Sequence, residues 1–492
     1  MTVPSAAPEP APELDVAPAA ETAEPVLVVD LDGTLSRTDT LIEAVLGLAA
    51  RRPMALFKLP FWLSGGRAAF KARVAEAHIV PGDALPLNET VLEEIRRARA
   101  AGRRTALVTA ADQRQAEAVA EAAGLFDEVH GSSGARNLKG AEKARFLTER
   151  FGEKGFDYIG DSKADLPVWA AARAGLTVGA EPGLRRRAEA ANPEMRHLDA
   201  PTGKTLAALK AMRPHQWSKN LLLFVPALAA HNSWVLWAVA WGFLAFSATA
   251  SAVYLINDLL DLEADRAHPR KRRRPFAAGD LSPVTGLGLA AGLLVFAFAI
   301  AAAIGSPAFF ATLAVYLAAT FAYSLVLKRE LLIDVLMLAG LYTVRIVAGG
   351  AVAGLVLSPW LLGFSMFVFL ALAAVKRQAE LMDQLATGRE SSGRAYEVED
   401  LPILRALAMA SGVASILVLA LYIASPDVQP HYNHPTLLWL LCPVVLYWVM
   451  RMIMMAHRGA MTDDPIVFAA ADRTSQIVVA TAGLIVLVAA FA

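Results

Sequence analysis

The stretch Tyr254-Leu-Ile-Asn257-Asp258-Leu-Leu-Asp261-Leu-Glu263-Ala-Asp265-Arg266 decides how the second half of this chain reads. It lies where an apolar run, 235–257, gives way to a loop carrying Arg266, Arg270, Lys271, Arg272, Arg273 and Arg274. Asp258, Asp261 and Asp265 are spaced i, i+3 and i+7, and Asn257 precedes Asp261 by four residues. On a helix these four side chains share one face. Oxygen donors so gathered at a membrane boundary suit a hard cation such as Mg²⁺, and carboxylates near lipid are costly without a partner or a use. The plainer alternative is a solvated loop in which Arg270–Arg274 neutralise the acids.

Outward from this stretch, apolar segments long enough to cross a bilayer recur between short polar loops. Nine spans are expected, at 220–231 (short), 235–257, 283–304, 308–327, 332–354, 359–380, 402–424, 436–455 and 474–491. Alternate loops hold sixteen lysines and arginines, while the loops near 231–234, 305–307, 355–358 and 425–435 hold none. This asymmetry places the basic loops in the cytoplasm and implies a multi-pass protein of the inner, cytoplasmic membrane, with the bilayer as its first partner. Arg345 falls inside the fifth span, where an unpaired guanidinium is expensive, so a functional role is expected of it. Cys442 is the sole cysteine of the chain, which excludes an intramolecular disulfide and a cysteine zinc cluster.

The first half has another character. Residues 1–209 carry 26 basic and 29 acidic residues, against 20 and 17 in the longer remainder. Lysine plus arginine equals aspartate plus glutamate over the chain, 46 each, so no basic excess points to nucleic acid. Residues 1–25, rich in proline and alanine and without a base, read as a disordered tail rather than a secretory signal. Over 26–200, short β-branched runs at 26–30, 105–109, 156–160 and 175–179 alternate with helical patterns such as 88–101 and 112–123, which predicts an α/β fold on a parallel sheet. The apolar, helical stretch 40–85 reads as an inserted cap whose run 55–63 can rest on a membrane surface. Residues 201–219 read as a linker with an interfacial helix, and 220–492 as an all-α membrane domain.

Asp30-Leu-Asp32-Gly33-Thr34 follows the first strand. One carboxylate there can attack phosphorus while the other protonates the leaving oxygen. Thr109 at the second strand, Lys139 or Lys143 beyond it, and Gly160-Asp161-Ser162-Lys163-Ala164-Asp165 at the third complete an order that resembles the four motifs of the haloacid dehalogenase superfamily. The resemblance implies a Rossmann-type domain in which Asp30 is the nucleophile and Asp32 the general acid/base. It further implies that Thr109 and Lys139 (or Lys143) bind phosphate, and that Asp161, helped by Asp165, holds Mg²⁺ beside Asp30 and Asp32.

In the membrane half, N-D-x-x-D-x-x-x-D resembles the UbiA superfamily, whose members bind a Mg²⁺-diphosphate on this motif. That assigns metal binding and catalysis to Asp258, Asp261 and Asp265, with Asn257 beside them. The loop after the sixth span reads Lys376-Arg377-Gln378-Ala379-Glu380-Leu381-Met382-Asp383 and lacks the second acidic motif of prenyl-transferring members. It resembles instead the decaprenyl-phosphate phosphoribosyltransferase branch, as do Arg213–Asn220, Tyr323–Lys328, Asp334-Val335, Asp464-Pro465 and Asp472-Arg473. This resemblance implies phosphoribosyl diphosphate and a polyprenyl phosphate as substrates. Lys219, Lys328, Arg345, Lys376 and Arg377 are then candidates for the remaining phosphates. The fused arrangement implies transfer of 5-phosphoribose to the lipid followed by 5-phosphate removal at Asp30, giving a polyprenyl-phosphoryl ribose. Prenyl transfer to an aromatic acceptor, with the first half in a separate or regulatory role, is the alternative. The sequence leaves a homo-oligomer open.

Overall fold

The computed structural model of the chain describes residues 24–133, 136–199, 203–230, 233–388, 395–426, 428, 432–461 and 464–491. All but the last two residues of the tail expected at 1–25 lie outside these. The chain divides into two compact units, Met1–Thr202 and Gly203–Ala492.

The first unit is built on six parallel strands, β1 (Val26–Val29), β2 (Thr105–Asp112), β3 (Glu128–Ser132), β4 (Phe156–Gly160), β5 (Gly175–Val178) and β6 (Met195–Leu198), in the order β3-β2-β1-β4-β5-β6. The four strands expected from β-branched runs are present. β3 and β6 were not anticipated, because edge strands are only half covered and do not need the continuous apolar run that marks a central one. β2 continues three residues past Thr109, with a register shift between Val108 and Asp112. Helices α1 (Thr40–Arg51), α2 (Leu59–Ser64) and α3 (Arg67–Ala77) lie in the stretch expected to form a cap, and α4 (Glu89–Ala100), α5 (Gln113–Ala123), α6 (Ala141–Phe151), α7 (Leu166–Ala171) and α8 (Pro182–Ala191) connect the strands. Leu27, Val29 and Leu107 point into one apolar layer and Val28, Ala106 and Val108 into the other, as alternation on a sheet covered on both faces requires. The chain leaves β1 for β2 on one side and β4 on the other, so the carboxyl end of β1 is a topological switch point, where α/β folds place their sites.

The second unit is helical: α9 (Lys204–Met212), α10 (Val225–Ala229), α11 (Leu236–Leu260), α12 (Leu262–Ala267), α13 (Pro283–Ile304), α14 (Pro307–Leu325), α15 (Ile333–Ala353), α16 (Pro359–Thr387), α17 (Leu401–Ala424), α18 (Leu441–His457), α19 (Pro465–Ala471) and α20 (Arg473–Phe491). Among the described residues eight helices, not nine, are long and apolar enough to cross a membrane. The short segment expected at 220–231 is instead a 3₁₀ run, Pro214–Phe224, followed by the five-residue α10 with Pro226 near its start. Within residues 214–219, read above as linker, Trp217 Nε1 donates to Ser251 Oγ at 2.9 Å and Lys219 is buried, as is Asn220 after it, while His215 stays exposed. α11 is the central helix, with 67% of its apolar window buried against 17% for α13. The lipid-facing helices keep exposed leucines and valines because hydrocarbon, not water, surrounds them.

Candidate active sites in the two units

Asp30 follows β1, and its backbone N–H still bonds to Ile159 O of β4 at 3.0 Å. Its Oδ1 accepts from Leu31 N at 2.8 Å and lies 2.9 Å from Lys143 Nζ. Lys143, from α6, is buried and donates to the Tyr158 hydroxyl at 2.8 Å, which donates to Asp165 Oδ1 at 2.8 Å. Asp165 Oδ2 accepts from Ser162 N and Oγ, closing a capping box at the start of the turn before α7. Carboxylate oxygens of Asp30, Asp161 and Asp165 all lie within 4.8 Å of one another. Gly33, at φ +76°, is required twice over: its backbone turns through the left-handed region, and a Cβ there would run into the Asp161 carboxylate.

Burial first, and then repulsion from Asp30 and Asp165, pushes Asp161 up to about 8. Burial likewise raises Asp30, although Lys143 opposes it. Three acids facing one lysine are short of positive charge, and oxygen donors so crowded match a hard divalent ion. The residues present therefore fit Mg²⁺. Asp32 is held apart from this trio: its Oδ1 accepts from Thr40 N at 2.8 Å and Thr40 Oγ1 at 2.7 Å. Burial, with repulsion from Asp39, pushes Asp32 up to about 7, so it carries a proton for much of the time near neutrality. Thr109 is fully buried on β2, its hydroxyl accepting from Ala111 N at 3.1 Å.

The lysine in contact with Asp30 is Lys143. Lys139 is exposed, so of the two lysines expected to bind phosphate it is Lys143 that pairs with Asp30. Asn137, Leu138 and Lys139 lead into α6, and only the helix carries a lysine inward, one turn later. Lys71 was missed altogether. It reaches from α3 to donate to Ala110 O at 2.6 Å, and its pKa is lowered chiefly by burial, with Lys139 adding to the shift and Asp32, Asp39 and Asp30 opposing it. No sequence signal marks it, because a lone lysine in a helical cap looks like any solvated one.

In the second unit the motif straddles a helix break. α11 ends at Leu260, Asp261 is its C-cap, and Asp265 N bonds to Asp261 O at 2.8 Å across the junction with α12. Asp258 and Asp265 are buried; the Asp261 side chain remains 45% exposed. Asp258 Oδ1 receives Arg213 at 2.6 Å and Arg274 at 3.1 Å, and the same Arg274 nitrogen lies 2.6 Å from Asp265 Oδ2. Asp261 faces Lys328 Nζ at 3.9 Å. Asn257 contributes its carbonyl to the turn, accepting from Asp261 N at 2.9 Å. Among the described residues these three acids do not close to the 4.8 Å spacing of the soluble trio. They fit Mg²⁺ in donor chemistry, while the arginines stand where its charge would be needed. Arg213 was not identified from sequence as their partner, since 45 residues separate it from Asp258.

A second charged centre forms around Asp464, which receives Lys219 Nζ at 2.5 Å, faces Lys376 Nζ at 3.7 Å, and caps α19 through Ile466 N at 3.0 Å. Arg345 is buried. Its Nε donates to Asn220 Oδ1 at 2.8 Å and a terminal nitrogen to Tyr316 OH at 3.1 Å, with its other terminal nitrogen on Leu341 O. The rings of Tyr316, Tyr342 and Phe246 lie 5.0, 5.6 and 5.7 Å from the guanidinium, so an aromatic box offsets its desolvation. Arg377 is enclosed by protein groups. It is 1% exposed and ion-paired with Asp334 and Glu380, and it donates to Tyr323 OH at 3.0 Å. Its charge is matched within the protein, and it ties α14, α15 and α16 together.

A largely buried acid trio on a Rossmann-type sheet and an acid motif at the end of a central apolar helix define a phosphohydrolase-type domain joined to a polytopic membrane transferase. Residues 221–468 match the UbiA prenyltransferase family, to which the chain belongs, and residues 27–169 match the haloacid dehalogenase-like hydrolases. The chain is 42% identical over 460 residues to "Uncharacterized protein y4nM" of Sinorhizobium fredii, covering 92% of this chain and 88% of that one. It is 35% identical over 271 residues to "Nodulation protein NoeC" of Azorhizobium caulinodans, covering 54% of this chain and 88% of that one. It is 40% identical over 187 residues to "Decaprenyl-phosphate phosphoribosyltransferase" of Mycolicibacterium smegmatis, covering 37% of this chain and 58% of that one.

Proposed function

We propose that the membrane unit transfers 5-phosphoribose from phosphoribosyl diphosphate to a polyprenyl phosphate, and that the soluble unit removes the 5-phosphate from the product. The observation that carries the first half is the charge arrangement. One acidic set, on α11 and α12, stands with a net basic centre, Lys219 and Lys376 around the single acid Asp464, in place of a second acidic motif. One diphosphate needs one cation site, whereas the ribose 5-phosphate and the lipid phosphate need bases. The similarity to a decaprenyl-phosphate phosphoribosyltransferase supports the same reading.

In this reading a lipid phosphate oxygen attacks the ribose C1 while the bond from C1 to diphosphate breaks. Asp258, Asp261 and Asp265, with Asn257, would hold Mg²⁺, which supplies positive charge toward the departing diphosphate. Lys219, Lys328 and Lys376 bind the other phosphates. In the soluble unit an Asp30 oxygen attacks the 5-phosphate and Asp32 gives its proton to the leaving ribose oxygen. Asp32 then takes a proton from the water that cleaves the aspartyl-phosphate. Lys143 neutralises Asp30 and the transferred group, and Asp30, Asp161 and Asp165 would hold a second Mg²⁺. The protein then works in the cytoplasmic membrane with both sites on the cytoplasmic side.

The test is mass spectrometry of lipids after the full chain in nanodiscs meets Mg²⁺, phosphoribosyl diphosphate and decaprenyl phosphate. Polyprenyl-phosphoryl ribose is expected. Absence of any ribosylated lipid, or turnover only with a prenyl diphosphate donor and an aromatic acceptor, overturns the proposal.

A further inference from the structure

The cap of the soluble unit carries a surface that the chemistry above does not use. Between Glu43 and Glu76 the chain has no acidic residue and six bases: Arg51, Arg52, Lys58, Arg67, Lys71 and Arg73. Within that window the 3₁₀ turn Pro53–Lys58 and helix α2 expose Met54 at 74%, Phe57 at 79%, Phe61 at 75% and Leu63 at 54%. A water-soluble domain gains nothing by holding two phenyl rings in solvent, and a run of such groups rimmed by polar residues marks an interaction surface. The segment is anchored from beneath, since Leu59, Trp62 and Phe70 pack on the apolar core. The outward rings are therefore presented by a fixed base rather than by a loose loop.

Resting on the phosphatase reading, we propose that residues 51–67 form an interfacial anchor that seats the cap on an anionic lipid surface, so that the site at Asp30 takes phosphate esters carried by a membrane lipid. Aromatic and aliphatic groups flanked by bases, with no acid among them, are the composition that inserts at the headgroup level of an anionic bilayer. A protein partner of ordinary mixed charge would not require the acids to be excluded over 32 consecutive positions. The surface is also wired to the site: α2 packs on α3, and Lys71 of α3 grips Ala110 O beside Thr109. Seating the exposed rings in headgroups thus brings the cap, whose Thr40 bonds the Asp32 carboxylate, to the level of a lipid-borne substrate. Substrate lipids diffuse to the site within the membrane plane and need not leave it.

The experiment uses the full chain in nanodiscs on a Cys442→Ser background, with spin labels placed by Phe57→Cys or Phe61→Cys. Collisions with lipid-soluble oxygen and with an aqueous nickel complex locate each label. In discs containing phosphatidylglycerol, both labels are expected to be reached by oxygen and shielded from nickel, and Arg52→Glu/Lys58→Glu is expected to reverse this. Labels reached by nickel, or by neither reagent because protein covers them, overturn the anchor. A Phe57→Ser/Phe61→Ser variant is expected to hydrolyse a soluble aryl phosphate at the wild-type rate and to lose several-fold in rate on the lipid-borne phosphoribosyl substrate; equal rates on both overturn the proposal. A wild-type chain inert toward both phosphates refutes the phosphatase reading instead, while the label positions still decide the anchor.

Discussion

The two acidic centres of this chain handle the same problem in opposite ways. In the soluble unit, Asp30, Asp161 and Asp165 crowd within 4.8 Å around Lys143, and burial with mutual repulsion raises Asp161 to about 8. In the membrane unit, Asp258 and Asp265 are matched by Arg213 and Arg274. The largely buried trio has one lysine for three acids, and its raised pKa values let protonation stand in for the missing positive charge. A site at the edge of hydrocarbon must neutralise each carboxylate within the protein. The first unit's centre thus gathers oxygen donors around one lysine, while the membrane centre is held by two arginines. Burial raises Asp265, outside the spans, to about 6, and Arg274 opposes that rise.

The largest effect that would sharpen this contrast is Asp30→Asn. It should lower phosphate release by about 10³-fold or more while leaving ribosyl transfer intact, so that mass spectrometry shows lipid retaining its 5-phosphate. Loss of both activities would break the idea of two independent centres. Asp258→Asn should reverse the pattern, costing about 10²-fold or more in transfer with aryl phosphate hydrolysis unchanged. Within the soluble centre, Lys143→Ala should cost about 10²-fold in kcat and Lys139→Ala less than about threefold; equal losses would show that the contact with Asp30 is not the one that matters.

Arg377 probes the rule that charge at the membrane is matched in pairs. Arg377→Ala strands Asp334 and should destabilise the unit by about 3–5 kcal/mol, read by thermal unfolding in detergent. Arg377→Met with Asp334→Leu should recover most of that stability. Recovery of stability without recovery of transfer would support a substrate role for Arg377.

The smallest expected effect is a pH dependence. Asp32, raised to about 7 mainly by burial, must be protonated to serve as acid. Hydrolysis of a sugar phosphate should therefore fall as pH rises through about 7, and an aryl phosphate with a good leaving group should not show that limb. In the absence of metal, burial lifts Asp32 and Asp161 above their unfolded values, so their ionisation opposes folding. The soluble unit should lose stability as pH rises from about 4 toward 8, and Mg²⁺ should protect it more at pH 8 than at pH 5, as read by hydrogen exchange.

Much of this was legible along the chain. Central strands announce themselves as apolar runs, membrane helices as long apolar segments, and Asp30, Asp32, Asp161, Asp258 and Asp265 by local spacing, because period and proximity are written in neighbouring residues. Edge strands β3 and β6 were not legible, since half-covered strands need no such run. The 3₁₀ run at Pro214–Phe224 was mistaken for the approach to a span because hydropathy does not register how a proline and buried polar groups break a helix.

What the sequence by itself determined is the division into a charged α/β unit and an apolar helical one, together with the acids at each centre. Only the folded chain decided which bases face those acids: Lys143 rather than Lys139 at Asp30, Arg213 and Arg274 at Asp258, and Arg377 at Asp334. The physical reason is that an acid's usefulness depends on its own position at a strand or helix end, a local property. The identity of its counter-charge depends on which distant side chain packing brings within about 4 Å, a property of the fold as a whole.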